Sequence, residues 1–360
     1  MKKQYFVWYN SEEEKKRLLT ALYEKGCRHP DYFDPEKQST HQTLIIEPAS
    51  GYIGPVRPMI GAAAVSSGAR FYTVDELLFL LENGFEKDLP RVIFHVPHDG
   101  TEFPKELMES VIIPQERFLP IHEIMRDRNV SELVPKPFHF YRMLIQFPVS
   151  RLLCDVERFI GPEEAMEKYG MGFCYEKAFD GTVLKNVTEE AEQRALKYYR
   201  KHHAQLDRLA KEHPWLLMID LHSFSEETVP ADLAASGPLP EICIGTDPVC
   251  TPKHLTESAK RLFSGAGYAA AENYPFEGCM APNAVLKGRK GCRFAGIMIE
   301  VNKRVYLDES GTVKEIEAER IREILKALIL EYEKEALDLT AEEIESYNDA
   351  AEKLEAERGL

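Results

Sequence analysis

A chain of 360 residues with 44% hydrophobic content can bury a large α/β core, which excludes wholesale disorder. Its formal net charge of −15 argues against a nucleic-acid or anionic-membrane partner, because both require a basic face. No run reaches the roughly eighteen apolar residues of a membrane span, the amino terminus lacks an apolar leader, and the seven cysteines contain no C-x-x-C pair. A cytoplasmic protein with reduced thiols fits these features, and neither a disulfide framework nor a zinc knuckle does.

In chain order, residues 1–45 are expected to form an N-terminal extension, 46–310 an α/β core, and 311–360 C-terminal helices packed on it. Within the core, short continuous apolar runs recur at 91–96 (RVIFHV), 151–156 (RLLCDV), 216–222 (LLMIDLH), 241–246 (EICIGT) and 296–301 (GIMIEV). Continuity rather than alternation predicts strands covered on both faces. Residues 158–187 are Gly-rich and irregular, the character of a lid or binding loop. Thr188 opens a helical pattern carried by Ala195, Tyr199, Leu206 and Leu209, and Pro214 is its stop. A long amphipathic helix is predicted after Thr312, and Thr340 with Glu343 forms a capping box for a second. Strands alternating with helices predict a three-layer α/β sandwich around a mixed, mostly parallel sheet.

Ligands in such folds sit at the carboxyl ends of strands. His98, Asp220 with His222, and Glu300 all fall there. A glutamate ending an apolar run is costly to bury unless it is paired or functional. Two imidazoles and a carboxylate with an open water position form the pattern of a catalytic zinc site, which a further carboxylate serves as general base. His95 lies three residues before His98, a spacing that in a strand points the two side chains to opposite faces, so it is read as structural. His202 and His203 fall mid-helix, with His203 expected to pack against the sheet. Cys154 reads as a small core residue, and Ser150 and Ser223 lack the G-x-S-x-G elbow of a serine hydrolase.

The ordered motifs "HVPHDGTEFP", "DRNVSEL", "SRLLCDVERF", "DLHSF", "NYPFEGCMAPNA" and "IEVNKRVYLDE" resemble the N-formylglutamate amidohydrolase family over about residues 90–310. The resemblance implies a zinc carboxypeptidase-like, phosphorylase/hydrolase-type fold. It makes His98, Asp127 and His222 the ligands of Zn²⁺ and Glu300 the general base. It also puts Arg151, Asp155, Arg158 and Gly278 at the substrate, a small molecule bearing a carboxylate. Two departures touch substrate contacts: "DVERF" replaces the family's Asp-x-Asn-Arg-Pro, and "HSFSEE" lacks the arginine found after the second histidine. Glu157 competes with Asp127 as third ligand. The expected activity is hydrolysis of an amide bond in an N-acyl amino acid or small peptide-like substrate. The alternatives are a non-catalytic binding protein on the same scaffold and an assembly module built on the acidic helices of 313–357.

Overall fold

The computed structural model of the chain describes residues 4–9, 11–31, 33–37, 43–56, 71–83, 90–135, 144–161, 164–213, 215–234, 237–286 and 293–338. Two compact units divide it, Met1–Leu89 with Lys136–Met143, and Pro90–Pro135 with Leu144–Leu360.

In the first unit, β1 (Tyr5–Trp8) pairs antiparallel with β2 (Thr43–Glu47) and parallel with β4 (Phe71–Tyr72). β2 in turn pairs antiparallel with β3 (Tyr52–Pro55). Helix α1 (Glu12–Glu24) starts where the Ser11 side chain accepts from the Glu14 N–H, with three glutamates in its first turn facing the positive end of the helix dipole. Tyr5, Val7, Leu18, Leu22, Leu44, Ile46, Ile53 and Leu77 of α2 (Val74–Asn83) share one apolar core. β2 straddles residues 45 and 46, and β3, β4 and α2 follow it in the same unit.

The second unit holds a six-stranded sheet in the order β6-β5-β7-β10-β8-β9. The strands are β5 (Arg91–Val96), β6 (Leu144–Gln146), β7 (Trp215–Phe224), β8 (Ile242–Gly245), β9 (Ala270–Glu272) and β10 (Arg293–Asn302). Neighbours are parallel except β8 with β10, giving the mixed, mostly parallel sheet of an α/β fold. β7 is buried from Leu216 to Phe224 on both faces, as the central strand of a layered sandwich must be.

Its helices are α3 (Lys105–Met108), α4 (Gln115–Met125), α5 (Glu189–Glu212), α6 (Lys253–Gly265), α7 (Asn283–Leu286), α8 (Lys303–Tyr306) and α9 (Glu315–Asp338). α5 is capped by Thr188, as its sequence predicts, and sets Leu206 and Ala210 against Ile93, Ile145, Leu216 and Met218. α9 is held through Arg322, which donates to Glu132 O, and Arg320, which donates to Ala266 O. Pro214 and the helix expected after Thr340 lie outside the described residues.

Two stretches differ from the sequence expectation. Residues 151–156 are buried from Leu152 onward but form turns, with Leu153 and Cys154 N–H groups returning to Ser150 O and Asp155 N–H donating to Phe173 O. An apolar run reports burial, and burial alone does not make a strand. Residues 171–184 are irregular as expected, yet Met171, Phe173, Tyr175 and Leu184 pack with Phe118, Leu152 and Leu153 in a core cluster. They form a wall of the unit, and no lid is built from them.

Candidate active site

The register of three parallel strands builds the site. His95 on β5 pairs with Asp220 on β7, and two residues further on His222 pairs with Glu300 on β10. Side chains alternate along a strand, so Asp220 and His222 share a face, and register puts His95 and Glu300 on it too. β5 ends at Val96, and Pro97 cannot continue the ladder. The chain turns and delivers His98 to the same place. Gly100 permits that turn: a Cβ there would lie 2.5 Å from Val149 O and 2.6 Å from Phe147 O. Asp127 follows α4, its N–H donating to His98 O. Asp99 fastens the loop, accepting from the Asn129 N–H and the Ser131 hydroxyl.

His98, Asp127 and His222 converge, all but wholly buried. His98 Nδ1 lies 3.1 Å from His222 Nδ1, Asp127 Oδ2 lies 3.1 Å from His222 Nδ1, and Asp127 Oδ2 lies 3.6 Å from His98 Nδ1. The donor pairs of a tetrahedral zinc site with bonds of about 2.0–2.1 Å are about 3.3 Å apart, so three nitrogen and oxygen donors with these separations fit one ion. Each imidazole is braced from behind. His98 Nε2 donates to Asp155 Oδ1 at 2.8 Å, and His222 Nε2 faces Asp220 Oδ1 at 3.1 Å, the carboxylate–imidazole pairing that fixes which nitrogen is free for a metal.

Charge is concentrated here. Burial opposes ionisation of Asp127, but hydrogen bonds with His222 and His98 outweigh it and hold its pKa well below the usual range. Burial likewise opposes charge on His222, and the Glu157 and Asp220 carboxylates overcome it and hold the imidazole pKa well above normal. Glu300 is the exception. Burial pushes it up to about 7, only partly countered by His222, and its Oε2 has no hydrogen-bond partner among the described residues.

Among the residues expected at the substrate, Asp155 is fully buried, its second oxygen accepting from Arg151 Nη2 at 3.1 Å and Tyr175 OH at 2.9 Å. It therefore braces the site from within. Arg151 also reaches Asp127 at 3.4 Å. Arg158 keeps a fifth of its side chain exposed and lies 3.7 Å from Asp155. Gly278 turns its loop at φ 88°, and two residues on the Met280 N–H donates to Asp220 Oδ2 at 2.9 Å.

Glu157 stands on the Nε2 side of both imidazoles, 3.0 Å from His222 Nε2 and 3.8 Å from His98 Nε2, whereas Asp127 stands on their Nδ1 side. His95, expected to point away from His98, belongs to the cluster: its Nδ1 meets Asp220 at 2.8 Å and its Nε2 meets His202 Nε2 at 2.8 Å. The alternation rule fails because it holds only inside a strand, and His98 lies past the end of one. Lys303, three residues after Glu300, escaped the sequence reading. Its amine donates to Ile124 O, and burial pulls its pKa down to about 8, opposed by Asp127. His203 packs as expected, bonded to Val156 O.

The sequence model of the N-formylglutamate amidohydrolase family matches residues 90–307. No curated protein matches the chain. Among solved structures, an N-formylglutamate amidohydrolase from Ralstonia eutropha JMP134 is similar at 20% identity and a TM-score of 0.54, covering 70% of this chain and 96% of that one. A gene product of Agrobacterium tumefaciens is similar at 16% identity and a TM-score of 0.48, covering 67% and 88%. The first likeness is one of fold, and the sequence match begins where the second unit begins. With well over half its length matched, this chain belongs to the N-formylglutamate amidohydrolase family.

Proposed function

We propose that the protein is a zinc-dependent hydrolase cleaving the amide bond of an N-acyl amino acid, N-formylglutamate-like, or of a small peptide-like substrate. The observation that carries this reading is the register of β10 on β7, which sets a buried carboxylate, Glu300, with one oxygen lacking a hydrogen-bond partner among the described residues, beside His222 of the three-donor set. His98, Asp127 and His222 would hold Zn²⁺. Bound there, zinc supplies a Lewis acid for the carbonyl and lowers the pKa of water toward neutrality.

The rest of the chemistry belongs to the chain. Glu300 takes a proton from the attacking water and returns it to the departing amine nitrogen. A carboxyl group raised to about 7 exchanges protons readily near neutral pH, which suits it to both steps. Asp155 and Asp220 keep the two imidazoles oriented. Arg158 grips a substrate carboxylate with its planar guanidinium fork, whereas Arg151 is already engaged with Asp127 and Asp155. Gly278 lets the adjoining loop turn toward the substrate. The thiols of Cys27, Cys154, Cys174, Cys243, Cys250 and Cys279 are free, in keeping with a reducing cytoplasmic setting, and no described helix is long and apolar enough to cross a membrane.

Elemental analysis of the purified protein, followed by formyl, acetyl and succinyl amino acids as substrates, tests the reading. Zinc should be present, at least one acyl amino acid should be hydrolysed, and changing His98 and His222 together to alanine should remove both metal and turnover. Full zinc occupancy in that double variant overturns the ligand assignment. A zinc-loaded wild type that binds these compounds without turning them over marks a non-catalytic binding protein.

A further inference from the structure

His222 has donors on both of its nitrogens. Behind Nε2 stands a second group, made of His95, Glu157 and Asp220, whose ligand atoms lie within 4.8 Å of one another. Their separations are 2.8 Å from His95 Nδ1 to Asp220 Oδ1 and 3.6 Å from His95 Nδ1 to Glu157 Oε1. His222 Nε2 joins them at 3.1 Å from Asp220 Oδ1 and 3.0 Å from Glu157 Oε2. These values bracket the roughly 3.3 Å between donors on one tetrahedral zinc ion, as the first set does.

Charge makes the stronger case. Asp127 and Asp155 each have Arg151 within ion-pair reach. Glu157 and Asp220 meet no arginine or lysine among the described residues, and their ion-pair contacts are all with imidazoles. Two adjacent carboxylates, Asp220 buried and Glu157 largely so, with no arginine or lysine beside them are expensive to desolvate. One oxygen of this group, Glu157 Oε1, is buried and has no hydrogen-bond partner among the described residues. Behind the set, His95 Nε2 faces His202 Nε2 at 2.8 Å. With His202 Nε2 accepting the Nε2 proton of His95, the Nδ1 of His95 is left to bind a metal, the outer-shell arrangement of ligating histidines.

We propose that His95, Glu157 and Asp220, with His222 Nε2 as a fourth donor, form a second site for a divalent transition metal of the zinc class. His222 would then bridge two ions, with Nδ1 toward His98 and Asp127 and Nε2 toward the second set. Binding at Nε2 displaces the proton that this nitrogen carries, which leaves to solvent; with both nitrogens bound the ring is an imidazolate, and with Nε2 alone bound Nδ1 keeps a proton and the ring is neutral. Mixed imidazole and carboxylate donors favour zinc over the hard all-oxygen ions magnesium and calcium. The second site shares His222 with the first but does not rest on the first being filled.

The test is zinc stoichiometry of the full chain, stripped with a chelator, reloaded with Zn²⁺, desalted and counted by elemental analysis and native mass spectrometry. Wild type should hold about two ions per chain. Glu157→Gln and, independently, His95→Gln should each hold about one, as should Asp127→Asn, whose loss falls on the other set. Circular dichroism checks that each variant is folded, and two separate variants of the second set guard against one that is not. Wild type holding a single ion that Asp127→Asn loses and both second-set variants keep overturns the proposal and leaves the proposed active site standing. The reverse pattern, an ion lost in Glu157→Gln and His95→Gln but kept in Asp127→Asn, supports the second site and sinks the first. A chain that takes up no zinc overturns both.

Discussion

Both units bury charged side chains, but they deal with them over different distances along the chain. In the first unit, Lys15 is paired with Glu12 at 2.5 Å, one helical turn away. Glu76 closes a capping box with Thr73, accepting from the Thr73 N–H while the Thr73 hydroxyl accepts from the Glu76 N–H. In the second unit, His95 meets Asp220 across 125 positions, His98 meets His222 across 124, and His222 meets Asp127 across 95. A buried charge answered within one turn finishes a helix. Buried charges gathered from three separate segments have no such local use, and holding them together requires the whole fold. The contrast sets the candidate site in the second unit, where the family match also begins.

The sharpest way to break this comparison is Glu300→Gln. The amide keeps shape and hydrogen-bonding capacity but cannot take the proton, so turnover should fall roughly 10²–10⁴-fold with zinc retained. Unchanged turnover would take Glu300 out of the chemistry; lost zinc would make it a ligand.

Distance in sequence does not by itself make a buried group catalytic, and His122 shows the limit. It lies 28 positions from Ser150, whose hydroxyl pairs with its Nδ1. Burial depresses its pKa to about 4. The unfolded chain therefore takes up a proton below about 6.5 that the folded chain refuses until about 4. Stability present above pH 6.5 should be lost as pH falls through that window, by up to about 3 kcal/mol. Denaturant unfolding at several pH values should show His122→Asn losing less over this range than wild type, with the neutral-pH turnover of the folded variant little changed. Parallel pH curves for the two proteins would contradict the account.

Arg158→Lys probes the rim of the cluster. A point charge cannot reproduce the bidentate fork, so KM for an N-acyl amino acid should rise about tenfold while kcat changes little. Equal kinetics on the free acid and its amide would remove the arginine from substrate recognition. The smallest effect belongs to the first unit. Thr73→Ala should lower stability by about 1 kcal/mol through the lost cap and leave turnover untouched. A fall in kcat from this change would mean that the local charges of the first unit are not merely structural.

The sequence by itself determined the character of the elements and the residues that carry charge at their ends. Apolar runs predicted β5, β7, β8 and β10, the Thr188 cap predicted the start of α5, and His98, His222 and Glu300 stood out because a polar group closing an apolar run is costly. Those signals are local, and they are written in neighbouring residues. Tertiary structure alone decided the partners. Which side of the two imidazoles Asp127 and Glu157 each occupy depended on how residues 127 and 157 were carried to the sheet, a matter of chain path rather than pattern. The same holds for 151–156, whose burial was readable and whose turns were not, and for residues 43–47, whose pairing with β1 carries the first unit past residue 45. His95 is the clearest case. Inside its strand the alternation rule was right, but Pro97 ended the strand before His98, and only the register of β5 on β7 brought His95 onto Asp220. Register is set by many weak backbone and side-chain contacts along whole strands, so no single motif in the sequence records it.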